Sequence, residues 1–259
     1  MDIIAFEAHG AAVKGYLQED YETLAAHKVR PALVICPGGA YRWRSPREKD
    51  PPAFAFLSMG YQVFILEYSC GPQAADCRPL RELAETVCTL RRNSGAWHID
   101  PDKIAVLGFS AGGHLAASLG ALWNDPDVNL PAEARPDALV LCYPVVSTRA
   151  FAHEESARWV SGGDEALRDK LHRWDRVTPA FPPTFLWHGG EDASVPPENS
   201  LMLAVELKRH GVPFEYHLFG SGGHGISTCT QEVETPDEVC RTWLPLCGTW
   251  LNRLFQYMP

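Results

Sequence analysis

The sequence predicts an α/β fold, in which a mostly parallel sheet of about eight strands carries helices on both faces and begins with an antiparallel N-terminal hairpin. Three observations support this prediction. Six short runs are apolar at nearly every position, so neither face of those strands can be solvated. Helical patterns separate the runs, which favours right-handed β-α-β crossovers. Two short segments before them are joined at His9-Gly10, as in a tight hairpin.

Each element is placed by its own pattern. The hairpin covers residues 3–6 and 12–17, and buried strands are predicted at residues 32–36, 62–68, 104–108, 138–142, 184–187 and 214–219. Helices are predicted at residues 51–59, 79–93, 111–123 and 197–210, with a last one at residues 237–255 that Pro245 and Gly248 should interrupt. Residues 126–136 are a predicted loop. Residues 147–177 are an insertion, rich in His, Trp and charge, that we expect to lie over the functional site.

The composition is that of a globular chain, and residues 1–259 are predicted to form one domain. Lys and Arg total 23 against 32 Asp and Glu, a formal net charge of −9. Such a surface repels phosphates and anionic lipid heads, so neither nucleic acid nor a membrane is an expected partner. The N-terminus shows no signal-peptide pattern and no run has membrane-spanning length, which together predict a cytoplasmic location.

The eight cysteines are scattered without a C-x-x-C motif, and several lie in apolar runs. We interpret them as reduced, buried thiols. The alternative, a metal or disulfide role for Cys70 with Cys77 or for Cys240 with Cys247, is less favoured because thiol sites need closer or complementary ligands.

A G-x-S-x-G motif, Gly108-Phe109-Ser110-Ala111-Gly112, lies directly between a predicted strand and a predicted helix. This setting is the strand, sharp turn and helix that a nucleophile elbow requires. Glycines at both ends remove Cβ atoms that would collide in the turn, while the helix N-terminus points N–H donors at the serine. Ser110 is therefore the predicted nucleophile.

A serine hydroxyl is a weak nucleophile until a base accepts its proton. His224 is the predicted base, because it lies in a glycine-rich loop directly after the last predicted strand, where an imidazole can reach across the sheet edge. Two other histidines are interpreted as structural. His188 ends a strand and is expected to pack, and His114 follows the serine by one helical turn and is expected to brace the elbow.

The acid that orients the histidine should follow the strand before it, at residues 184–187. Asp192 is the predicted acid, and Glu191 beside it is the rival, since either carboxylate could face the imidazole. A structural role for Asp192, capping the helix that begins near Pro197, is a further alternative.

Ester and amide hydrolysis also requires donors aimed at the oxygen that becomes negative. The segment Pro37-Gly38-Gly39-Ala40-Tyr41 directly follows the strand at residues 32–36 and can turn its amides toward the elbow. We assign the backbone amides of Gly39, Ala40 and Ala111 to this oxyanion hole. The alternative is a plain glycine turn.

These motifs resemble the α/β-hydrolase superfamily over nearly the whole chain. More narrowly, the chain resembles compact bacterial acetylesterases related to acetyl xylan esterases and feruloyl esterase-like proteins. The likeness rests on segments that occur in the expected order: Pro37-Gly38-Gly39-Ala40-Tyr41 with Ser45-Pro46-Arg47-Glu48, Trp97 to Ile104, Gly108 to Ala116, Tyr143-Pro144-Val145, Phe185 to His188 with Asp192, and His224-Gly225-Ile226-Ser227.

The resemblance implies a serine carboxylesterase that hydrolyses short acyl esters, such as O-acetyl groups of sugars or xylo-oligosaccharides, without a cofactor or a metal. The insertion departs from this family at Glu155, where relatives carry glycine, and near Trp159, where they carry smaller aliphatic residues. His153 and Trp159 of this insertion are assigned to substrate binding, and the departure from the family bears on the leaving-group pocket.

The oxyanion segment continues into Tyr41, Arg42 and Trp43, which are assigned to substrate contact as a stacking surface for a sugar ring; a solvated basic loop is the alternative. Two other functions are compatible with the sequence. One is an oligopeptidase-like serine peptidase, and the other is a non-catalytic binding protein on the same fold. A homodimer is compatible with the sequence.

Overall fold

The computed structural model describes residues 1–19, 29–172 and 174–259, and it contains one eight-stranded sheet in the order β1-β2-β4-β3-β5-β6-β7-β8. β1 pairs antiparallel with β2, β2 pairs antiparallel with β4, and the remaining pairs are parallel. The strands are β1 Asp2–Ala8, β2 Ala11–Leu17, β3 Arg30–Cys36, β4 Gln62–Glu67, β5 Ile99–Phe109, β6 Ala138–Cys142, β7 Thr184–Gly189 and β8 Phe214–Phe219. The predicted α/β-hydrolase fold with its N-terminal hairpin is confirmed.

The apolar runs form strands because both faces of the sheet are covered. Along β3, Ala32, Val34 and Cys36 face one core layer, whereas Leu33 and Ile35 face the other. All five are fully buried. Side chains alternate between faces along a strand, so a continuous apolar run is what a doubly covered strand requires.

The helices divide between these two layers. The described residues contain α1 Asp50–Ser58, α2 Arg78–Arg92, α3 Ala111–Leu122, α4 Glu154–Ser161, α5 Glu165–Lys170, α6 Glu198–Arg209 and α7 Trp243–Leu254. Core residues of α2, α3 and α6 belong to one layer, and those of α1 and α7 belong to the other. None of these helices is long and apolar enough to span a bilayer.

The predicted interruption of the last helix is wrong, since α7 runs unbroken past Pro245 and Gly248. Pro245 is the third residue of α7, where a backbone N–H has no partner within the helix, so its missing donor costs nothing. Gly248 is buried, and a Cβ there would lie 2.9 Å from Met59 Sδ. The glycine therefore allows close packing rather than a break.

The insertion at residues 147–177 contains the short helices α4 and α5. Each begins with a side-chain cap, because His153 Nδ1 accepts from the N–H of Ser156 and Asp164 accepts from the N–H of Leu167. Arg149 then pairs with Glu165 and Asp169 of α5. Local polar contacts thus order a segment whose hydrophobic pattern is weak.

The ring stack between β7 and α7 should carry much of the stability of this layer. Trp187 and Trp243 are fully buried, with ring centroids 5.3 Å apart. We expect Trp243→Ala to lower the free energy of unfolding by about 3–5 kcal/mol, measured by chemical denaturation. Leu254→Ala, in the same helix but at a partly exposed position, is the control. Equal losses in the two variants would contradict this expectation.

Candidate active site

Ser110 lies in a strained turn between β5 and α3. Its backbone angles are φ 52° and ψ −115°, a region that residues with side chains rarely adopt. The neighbouring chain holds it there, because its N–H donates to the carbonyl of Cys142 and its own carbonyl accepts from Val145. A Cβ on Gly108 would lie 2.2 Å from Gly112 O, and a Cβ on Gly112 would lie 2.0 Å from Cys36 O. Only glycine fits at either position.

Three side chains from separate loops form one hydrogen-bonded chain. Ser110 Oγ lies 2.7 Å from His224 Nε2, and His224 Nδ1 lies 2.6 Å from Asp192 Oδ2. A carboxylate only accepts hydrogen bonds, so Nδ1 carries the proton. Nε2 is then free to accept from the serine hydroxyl. The structure thus brings the predicted nucleophile, base and acid together.

The two candidate acids differ in their surroundings. Asp192 is 4% exposed, and its second oxygen accepts from the backbone N–H groups of Ser194 and Val195. Glu191 is exposed to solvent. The carboxylate that faces His224 is therefore that of Asp192, which also orders the turn that follows it.

His188 has a place in the site that the sequence did not reveal. It is fully buried at the end of β7, and its Nε2 lies 3.2 Å from Asp192 Oδ2 and 3.0 Å from Val195 O. Because both neighbours are acceptors, Nε2 carries a proton. Ser200 Oγ holds the other ring nitrogen at 2.7 Å. The sequence predicts only that His188 packs, and its contact with the acid is visible only in three dimensions.

These contacts set the charge of Asp192. Burial by itself would raise the pKa of this carboxyl, but hydrogen bonds from His188, His224 and the backbone of Val195 outweigh that effect. The pKa of Asp192 is consequently held well below its usual range, so the group is a carboxylate at neutral pH.

The predicted oxyanion segment follows β3 and faces Ser110. Gly39 and Ala40 have positive φ angles of 124° and 56°, and both line the same cavity as Ser110. The carbonyl of Gly39 accepts from Arg42 and Trp43, which closes the turn. Within the described part of the chain, the N–H groups of Gly39 and Ala40 have no backbone acceptor. That of Ala111, the first residue of α3, has none within the helix.

A cavity of about 760 Å3 opens above these amides. Of the residues assigned to substrate contact, Trp43 and His153 line it. Trp43 is 54% exposed and offers an open ring face. Glu155, which stands where the resembled family carries glycine, also lines the cavity. The insertion therefore forms part of the wall.

Three assigned contacts lie elsewhere. Tyr41 is 1% exposed, and its hydroxyl lies 2.8 Å from His114 Nδ1, so it braces the loop from below instead of facing the cleft. Arg42 is exposed and pairs with Glu155 at 3.4 Å, but Arg42 itself does not line the cavity. Trp159 packs against the core layer that contains α2 and α3. Tyr41 and Arg42 lie in a turn and Trp159 lies in α4, so the local backbone geometry and packing set these three directions, which the sequence did not resolve.

His153 presents a neutral ring to the cavity. Its Nδ1 accepts from the backbone N–H of Ser156 and lies 2.9 Å from Ser156 Oγ. Burial, and then the nearby His224, lower the pKa of His153. The proton of the neutral ring is therefore on Nε2, which makes that atom a donor.

No group of three or more His, Cys, Asp or Glu side chains in residues 1–19, 29–172 and 174–259 could hold a metal ion. All eight cysteines are free thiols.

Comparison with known proteins shows the family of the chain. The BD-FAE family model matches residues 21–207. The chain belongs to the BD-FAE family. Among solved structures, this BD-FAE chain is similar to an acetyl ester-xyloside bifunctional hydrolase from Caldicellulosiruptor lactoaceticus, with 35% identity, TM-score 0.83, and coverage of 96% of this chain and 90% of the other. It is also similar to a carboxylesterase from Lactobacillus plantarum WCFS1, with 26% identity, TM-score 0.90 and full coverage of both chains.

A curated relative of this BD-FAE chain is the endo-1,4-beta-xylanase B of Butyrivibrio fibrisolvens, which is 31% identical over 214 residues. The match covers 78% of this chain and 33% of that protein. The chain spans about a third to a half of the length of the first curated relatives it matches.

The depressed pKa of Asp192 predicts how stability depends on pH. An ionised, hydrogen-bonded carboxylate contributes stability that is present above the unfolded pKa of about 3.9 and is lost as pH falls below it. Asp192→Asn should therefore cost about 2 kcal/mol near pH 7, and the deficit should shrink as pH falls toward 3. Thermal unfolding across this range measures it. Glu191→Gln is the control, and a deficit in Asp192→Asn that is independent of pH would contradict the prediction.

Proposed function

We propose that this protein is a serine carboxylesterase that hydrolyses short-chain acyl esters, with Ser110 as nucleophile, His224 as general base and acid, and Asp192 as the orienting carboxylate. The observation that carries the proposal is the continuous hydrogen-bonded chain from Ser110 Oγ through both nitrogens of His224 to Asp192 Oδ2. The carboxylesterase and acetyl ester hydrolase named among the similar structures support the same reaction class.

In the first half-reaction, Ser110 Oγ bonds to the ester carbonyl carbon while its proton moves to His224 Nε2. The carbonyl oxygen becomes negative next to the amides of Gly39, Ala40 and Ala111. The carbon–oxygen bond to the alcohol then breaks, and His224 returns the proton to the departing oxygen. Asp192 stabilises the imidazolium that exists between these two transfers.

In the second half-reaction, His224 takes a proton from water, whose oxygen bonds to the acyl carbon of Ser110. The tetrahedral intermediate collapses, the bond to Ser110 Oγ breaks, and the proton returns to the serine. A carboxylic acid leaves. No cofactor is required, since each step moves only a proton and an electron pair between groups already present.

The proposed substrates are acetyl esters of sugars, including acetylated xylo-oligosaccharides. The similar structure named as an acetyl ester-xyloside bifunctional hydrolase supports this class. The cavity fits it as well, because Trp43 offers an apolar ring face and His153 a neutral N–H donor in the same wall. The same three side chains could also serve a peptidase, so a peptide substrate is one outcome of the tests below.

Removal of the nucleophile tests the reaction class. Ser110→Ala should lower kcat on p-nitrophenyl acetate by at least about 10⁴-fold, because no other group can form the acyl intermediate. It should also abolish labelling by a fluorophosphonate probe. Ser118→Ala, at a buried serine of α3 whose Oγ has no hydrogen-bond partner among the described residues, is the matched control and should retain both. Undiminished turnover in Ser110→Ala would remove this serine from the mechanism, and wild-type cleavage of acyl-peptide anilides alone would favour a peptidase.

The exposed ring of Trp43 should matter for sugars more than for small esters. Trp43→Ala should raise KM for an acetylated xylo-oligosaccharide by about 3- to 10-fold, the loss of one aromatic contact. KM for p-nitrophenyl acetate should change by less than about two-fold, since that substrate need not reach the ring. Phe151→Ala, another exposed aromatic residue that does not line the cavity, is the control. Equal effects on both substrates would contradict sugar stacking.

A further inference from the structure

A buried carboxylate outside the proposed triad lies at the base of the oxyanion segment. Glu48 is 2% exposed, yet it contributes to the cavity wall beside Ser110. Its Oε2 accepts from the N–H of Gly38 at 2.7 Å, and its Oε1 accepts from the hydroxyl of Tyr143 at 2.7 Å. Burying a charge is costly unless every oxygen is satisfied, so a carboxylate here needs a reason.

The contact with Gly38 fixes the start of the oxyanion segment. A Cβ on Gly38 would lie 2.7 Å from Glu48 Oε2 and 3.0 Å from Ser110 Cβ, so the carboxylate, this residue and the nucleophile are packed together. The carbonyl of Gly38 accepts from Ser45 at 2.9 Å, which closes the turn on its other side. The two peptide groups that flank Gly38 are thus each held by one hydrogen bond, and the second of them carries the N–H of Gly39.

The contact with Tyr143 extends to the loop that carries His224. The Tyr143 hydroxyl accepts from the N–H of Ser227 at 2.8 Å, and its ring centroid lies 5.2 Å from that of His224, edge to face. Ser227 Oγ in turn donates to the carbonyl of Arg47 at 2.5 Å. The turn at Glu48 therefore holds the histidine loop by two separate hydrogen-bonded paths.

We infer that Glu48 is a positioning residue of the active site, which through Gly38 sets the oxyanion amides and through Tyr143 and Ser227 sets the loop of His224. This inference rests on the proposed function. Burial raises the pKa of Glu48, while the hydrogen bonds from Tyr143 and Gly38 act in the opposite direction. Because both oxygens accept, the ionised carboxylate fits the geometry, and an amide cannot accept at both positions.

The test is Glu48→Gln, which keeps the shape of the side chain and loses one acceptor. Because oxyanion stabilisation depends on donors already in place, kcat on p-nitrophenyl acetate should fall by about 10- to 100-fold while KM stays within about two-fold. The rate of fluorophosphonate labelling at Ser110 should fall in parallel. A group needed only for folding would change the unfolding midpoint without this split between kcat and KM.

Glu82→Gln is the matched control. Glu82 is also fully buried and also accepts from a backbone N–H, that of Ser69, but it lies on α2 outside the cavity wall. The Glu82→Gln variant should have a lower unfolding midpoint than the wild-type protein and an unchanged kcat. If Glu48→Gln does not fold, Tyr143→Phe tests the path to the histidine loop by the same two measurements.

A folded Glu48→Gln with wild-type kcat and labelling rate would overturn the inference and leave the proposed function intact. In the Tyr143→Phe arm, wild-type kcat and labelling rate would likewise overturn it. A wild-type protein that neither hydrolyses esters nor labels at Ser110 would overturn both.

Discussion

The site depends on one steric constraint, the close approach of three backbone segments around Ser110. The start of α3 touches the end of β3 so closely that a Cβ on Gly112 would lie 2.0 Å from the carbonyl oxygen of Cys36. Beside this contact, hydrogen bonds to the backbone of Cys142 and Val145 hold the serine in a conformation that it would not adopt in a flexible chain. Because strands and helix are each anchored in a fully buried core layer, the fold can hold this strain, and the hydroxyl stays directed at His224.

Charge is the second organising element. Asp192 and Glu48 are both buried carboxylates, and each is satisfied by several donors rather than by a single ion pair. Asp192 lies behind the imidazole of His224, and Glu48 lies beneath the oxyanion segment. In the proposed chemistry, Asp192 orients the base and Glu48 orients the amides that face the oxyanion. His188 supports the first in the way that Tyr143 supports the second. Such networks make the geometry stiff, since displacement of any member leaves a buried charge unpaired.

Much of the fold could be predicted from local pattern. The eight strands and the helices at α1, α2, α3 and α6 follow from apolar periodicity, and their ends agree to within two residues because turn signals are local. The exception is β5, which begins five residues before the predicted strand, at Ile99. The positions of Ser110, Asp192 and His224 after strand ends predict the three side chains that the structure brings together. Local pattern was wrong for α7, where Pro245 falls in the first turn, and it was uninformative for α4 and α5, which are ordered by polar contacts.

The order of elements, the two-sided burial of the sheet and the residue types at the elbow can be predicted from sequence alone, because each depends on neighbours within a few positions along the chain. The directions of the side chains around the site depend on how the chain folds in three dimensions. The tertiary structure turned Tyr41 inward onto His114, left Trp43 in the open cleft, selected Asp192 over Glu191, and brought Glu48 and His188 to the site. These outcomes depend on contacts between residues that are far apart in sequence, and packing of the whole core sets them.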